Sequence, residues 1–80
     1  MLILTQRKSE VVNLDSAEAI FGEPETARFN AEWNVFARGA SGKSVTLGRY
    51  ENEAQVQEVL REIMEEYRIP GRQMYEMPEA

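Results

Sequence analysis

The sequence predicts an α+β fold: an antiparallel meander of four or five strands with one C-terminal amphipathic helix packed on one face. Three observations predict it. Ala27, Phe29, Ala31, Trp33, Val35 and Ala37 fall on one side of a period-two pattern, as in a sheet with one dry face. Ser44–Tyr50 follows a short glycine-containing loop and is rich in β-branched and aromatic residues. Val56, Val59, Leu60, Ile63, Met64 and Tyr67 then recur at spacings of three and four, which makes one helical stripe.

Taken in order, Leu2–Thr5 reads as a short apolar strand and Gln6–Glu10 as a polar turn. Val11–Leu14 resumes the apolar pattern, and Asp15-Ser16 suits a turn because both side chains can bond nearby backbone. Ala17–Phe21 is a third strand. Gly22-Glu23-Pro24-Glu25 reads as a loop, since Pro24 has no N–H for a ladder. The clearest strand is Ala27–Ala37, with Arg28, Asn30, Glu32 and Asn34 on the wet side and Phe36 the one apolar residue among them. Gly48 marks a bulge or a close contact in the next strand. Asn52 is a good N-cap, with Gln55 placed to reach back as a capping box and Glu53 at the positive end of the helix dipole. Ile69-Pro70-Gly71 stops the helix, because a residue before proline is pushed out of the helical region. Met74–Pro78 has the pattern of a short final edge strand. A sheet-plus-helix barrel of the pleckstrin-homology type is a variant with the same elements.

The 80 residues form a single small domain, 1–80, able to bury one modest core. The net charge of −5 disfavours nucleic acid and anionic membranes, which need clustered positive charge. With no cysteine there is no disulfide or thiolate site, and with no histidine the commonest general base and metal ligand are missing. No cofactor, metal site or catalytic residue is expected. Met1–Leu4 is too short an apolar run for a signal peptide or a span, so the expected location is cytoplasmic.

The stretch Ala37–Ser44, ARGASGKS, is close to a phosphate-binding loop. Such a loop works by opening a helix whose N–H groups converge on phosphate. Here Ser44 opens a strand-former, and no helix starts before Asn52, so the stretch reads as a hairpin loop. Glu58, Glu62, Glu65 and Glu66 lie off the helix stripe and read as a solvated face, with mimicry of nucleic acid as the alternative. Trp33 is expected in the core. Met74, Tyr75 and Met77 follow the helix stop and need burial, so they are the candidate interaction residues, covering a sheet edge in this chain or in a partner.

The first ten residues, MLILTQRKSE, resemble the start of the carbon storage regulator family, matching at Met1–Thr5 and Glu10. Gln6 stands where that family carries an arginine, and its later histidine- and arginine-containing segment has no counterpart. That resemblance implies an RNA-binding dimer of intertwined strands. Val12-Asn13-Leu14-Asp15, Leu47-Gly48-Arg49-Tyr50, Glu53-Ala54 and Tyr75-Glu76-Met77-Pro78 together resemble a group of small uncharacterised proteins of Gram-positive bacteria and their phages. This second resemblance covers most of the chain and implies a strand meander followed by one helix, with no assigned activity. The function expected is a non-catalytic binding or adaptor module acting on another protein, phage- or mobile-element-related. The alternative is an RNA-binding regulator. A homodimer through a sheet edge or the C-terminal tail is the expected form of any self-association.

Overall fold

The computed structural model describes residues 1–26 and 31–79. The fold is α+β, with strands in two three-stranded sheets and one helix. The strands are β1 (Leu2–Leu4), β2 (Val11–Asn13), β3 (Ala17–Pro24), β4 (Trp33–Gly39), β5 (Ser44–Tyr50) and β6 (Met74–Glu76), and the helix α1 spans Glu53–Tyr67. The larger sheet is an antiparallel meander as expected, in the order β3-β4-β5, but it holds three of the strands, where the sequence predicts four or five in one meander. The smaller has the order β2-β1-β6, and β6 runs parallel to β1 with Ile3 opposite Tyr75. The final strand is therefore an edge strand, reached only after the helix has carried the chain back to its start.

Local sequence accounts for most boundaries. Asn52 Oδ1 accepts from the Gln55 N–H at 3.0 Å, and Gln55 Oε1 accepts from the Glu51 N–H at 2.8 Å, which settles the start of α1. Arg68 caps its end, and Gly71 turns the chain with a φ of 84°. Asn13 Oδ1 accepts from the Asp15 N–H at 3.0 Å and sets a 3₁₀ turn at Leu14–Ser16. The loop after β4 is a hairpin: Gly42 takes a φ of 86°, and the Gly39 N–H donates to the Lys43 carbonyl at 3.1 Å. Strand, loop and strand replace the strand, loop and helix of a phosphate site. Gly48 serves both of the purposes foreseen for it. Register slips where Val35 faces Gly48 and Phe36 faces Thr46, so β5 bulges at Leu47. A β-carbon on Gly48 would also lie 2.9 Å from the Tyr50 hydroxyl.

The sequence reading needs correction at β3. The expected loop Gly22–Glu25 begins as strand, and β3 runs to Pro24, which pairs with Trp33. Proline is tolerated because β3 is the edge of its sheet and Pro24 is its last residue. The first half of the strand expected over Ala27–Ala37 falls largely on 27–30, outside the described residues, and β4 starts at Trp33.

One core joins both sheets and the helix. It contains Ile3, Val35, Ala37, Leu47, Tyr50, Val56, Val59, Ile63, Tyr75 and Met77. Trp33 is only partly buried and packs against this cluster from its margin. Gln6 ties the sheets together. Its N–H donates to the Leu47 carbonyl at 2.8 Å, and its side-chain amide accepts from the Arg49 N–H at 2.8 Å and donates to the Arg49 carbonyl at 3.0 Å. The amide thus imitates a neighbouring strand along β5, and it also reaches the Pro78 carbonyl at 3.2 Å. Phe36 has its explanation on the outer face of the larger sheet. It stands opposite Phe21 with ring centres 5.5 Å apart, and the Arg38 guanidinium lies 5.4 Å from the Phe21 ring.

Candidate interaction surface

The three candidate interaction residues separate by strand parity. Tyr75 is 9% exposed and Met77 is 1% exposed, so both side chains serve this chain's own core. The Tyr75 hydroxyl donates to Glu62 Oε1 at 2.7 Å, which pins the tail to α1. Burial, then this hydrogen bond, raises the Tyr75 pKa well above the ordinary tyrosine value. Met74 points the other way and is 63% exposed. It sits opposite exposed Leu2, beside the pair Leu4 and Val11, so these four side chains give the small sheet an apolar outer face. The acidic helix face is only partly a solvated one: Glu62 holds Tyr75, and Glu66 pairs with Arg72 at 3.0 Å.

A larger apolar feature lies where α1 crosses β3. Three residues of the helix stripe, Val56, Val59 and Ile63, are buried. The stripe continues past them through half-buried Leu60 to Met64 and Tyr67, which are 60% and 52% exposed. Between these side chains and β3 runs a groove of about 480 Å³, walled by Leu14, Ala17, Ile20, Leu60 and Met64, with Glu18 and Arg68 among its polar residues. Among the described residues β3 has β4 on one side and no strand on the other. The groove therefore lies beside an open strand edge.

Tyr67 is held at the groove by its hydroxyl, which donates to Asp15 Oδ1 at 2.8 Å. The N-terminal ammonium of Met1 reaches the same carboxylate at 3.2 Å. The hydrogen bond from Tyr67, then that from the ammonium, holds the Asp15 pKa below the usual carboxylate range. The same bond, then the Asp15 charge, raises the Tyr67 pKa.

The groove was missed by the sequence reading, although a signal was present. The helix stripe is wider than the core requires, and its C-terminal members Met64 and Tyr67 are the surplus.

A second, polar hollow of about 450 Å³ lies between the turn after β1 and β5, lined by Thr5, Gln6, Arg7, Ser9, Thr46 and Arg49 among others. The Thr5 hydroxyl is buried there without a hydrogen-bond partner among the described residues. Arg49 is already engaged by Glu25 and, at 3.1 Å, by Glu32. Among the described residues no three His, Cys, Asp or Glu side chains are grouped to hold a metal ion, and no helix is long and apolar enough to cross a membrane. Comparison with family models, with curated proteins and with solved structures finds no match to this chain, so its function has to be read from these surfaces.

Proposed function

We propose that this chain is a non-catalytic binding module that docks another protein in the groove between β3 and α1. The observation that carries this reading is the surplus half of the helix stripe. Met64 and Tyr67 extend an apolar face beyond the core and present it beside an unpaired strand edge. Apolar side chains gathered at one place on a small domain mark a contact surface more often than isolated ones do. The absence of histidine and cysteine supports a binding role over a catalytic one. The resemblance to small proteins of Gram-positive bacteria and their phages suits a mobile-element adaptor, and we place it in the cytoplasm.

The test is affinity capture from the source cell with the wild-type chain and with Met64→Glu. Met64 is exposed, so the substitution leaves the fold intact. A partner retained by the wild type and lost with Met64→Glu is the expected result. Identical captured sets would refute the groove as the docking site.

The RNA-binding alternative has one observation in its favour, the Phe21–Phe36 pair with Arg38 on the open face of the larger sheet. Aromatic and arginine side chains on a sheet can stack bases. Salt-sensitive micromolar binding of mixed RNA oligonucleotides, lost in Phe36→Ala, would favour it. The net charge of −5 weighs the other way.

A further inference from the structure

β3 is the edge of the larger sheet; Glu18 lies in an irregularity between Ala17 and Ala19, and from Ala19 to Glu23 the only backbone partner strand is β4 among the described residues. An antiparallel edge turns the N–H and C=O of every second residue outward, so about three residues here present unmade bonds. Such an edge is a template for another strand unless charge, proline or a covering segment blunts it.

The charges on β3 decide which strand can add. Its only charged residues are Glu18 and Glu23, and Pro24 follows them. A twofold axis between two copies sets only residues of like parity opposite one another, so Glu18 and Glu23, five residues apart, do not face each other directly. A copy of β3 nonetheless brings two more carboxylates and no cation to the edge, and its Pro24 has no N–H for a ladder. On charge, β3 therefore favours a cationic strand over its own copy.

The groove supplies the other half of the specificity. A strand laid along β3 projects alternate side chains to the side where Ile20, Leu60, Met64 and Tyr67 line the groove. We infer that β3 accepts an added strand from a partner: an extended segment with apolar residues at every second position and lysine or arginine placed to meet Glu18 and Glu23. This rests on the protein-binding reading above and adds the mode of docking and the chemistry of the partner.

The probe is a display library of random peptides of about ten residues, long enough to span a strand, selected on the whole chain. Selected peptides should alternate apolar residues with polar ones and be enriched in lysine and arginine. Amides of Glu18–Glu23 should gain protection from hydrogen exchange when they bind. N-methylation of alternate peptide amides should abolish binding in one phase and spare it in the other, because only one set faces β3. Glu18→Lys with Glu23→Lys should weaken binding by about tenfold or more with an unchanged melt, and glutamate-bearing versions of the same peptides should recover it.

Peptides that occupy the groove but tolerate both phases of N-methylation would overturn strand addition while leaving the protein-binding reading standing. Peptides that map to Leu2, Val11 and Met74 would overturn the inference and count against the groove as the docking site. Failure to select any peptide, or selection with no preference for basic residues, would also overturn the inference, and the capture experiment with Met64→Glu would still judge the broader reading separately.

Discussion

Replacing Gly22 with alanine tests how closely α1 is seated on β3. Gly22 lies in register with buried Val35, and a β-carbon built on it would stand 2.4 Å from Val56 Cγ1. Carbon atoms in contact prefer about 3.5–4.0 Å, so the first turn of α1 must retreat by about 1 Å or Val56 must change rotamer. Valine in a helix has one strongly preferred rotamer, which makes the second route costly. Overpacking of this kind costs about 1–3 kcal/mol. Stiffening the unfolded chain returns about 0.4–1 kcal/mol of that, leaving a net loss of about 1–2 kcal/mol. In a domain of this length the melting temperature should fall by about 5–15 °C. The assay is a thermal melt of Gly22→Ala, Val56→Ala and the double variant. Val56→Ala removes the clashing methyl, so the double variant should be about 1 kcal/mol more stable than the sum of the singles. A Gly22→Ala melt within about 2 °C of wild type, together with additive singles, would refute the close seating of the helix.

Other expectations follow from the same contacts. Gln6→Ala removes the amide that imitates a strand along β5 and should cost about 1–2 kcal/mol in urea unfolding. Gln6→Arg, the residue of the carbon storage regulator pattern, should not restore that loss, because it has no acceptor for the Arg49 N–H. Trp33→Ala should cost about 2–3 kcal/mol, less than a fully buried tryptophan, because the ring packs at the core's margin. Burial, then the charge of Glu62, pushes the Tyr50 pKa up to about 12, and Tyr75 is raised as well. Both are raised above the unfolded value, so their contribution is complete below about pH 10 and is lost as pH rises from there through the folded values. The urea midpoint should therefore drop steeply above about pH 10 and less steeply with both tyrosines changed to phenylalanine. Asp15 has the opposite sign: its pKa is lowered, so the stability it lends is present at neutral pH and is lost on acidification, and Asp15→Asn should flatten that acid limb.

What the sequence made legible is what neighbouring residues determine. The Asn52 cap, the Pro70-Gly71 stop, the hairpin after β4 and the bulge next to Gly48 are each written in a few adjacent positions. The parallel pairing of β1 with β6 was not legible, because Ile3 and Tyr75 meet only after the whole intervening chain has folded. Pro24 misled for a related reason. A proline excludes a central strand, and nothing local says that β3 is an edge. Gln6 read as a turn residue, since its partners Arg49 and Pro78 are far away in sequence. The tail was rightly marked as needing burial at Tyr75 and Met77, yet the three-residue strand turns Met74 outward by parity alone. The groove was half legible: periodicity named Met64 and Tyr67, and only the fold shows that the core ends before reaching them.

The central claim is that the β3–α1 groove is where a partner docks. A photo-crosslinking amino acid at position 64, compared in the source cell with the same group at exposed Thr46 on β5, tests it most directly. The account predicts a discrete higher-mass adduct from position 64 that is absent from position 46. No adduct from position 64, or the same adducts from both positions, would contradict it.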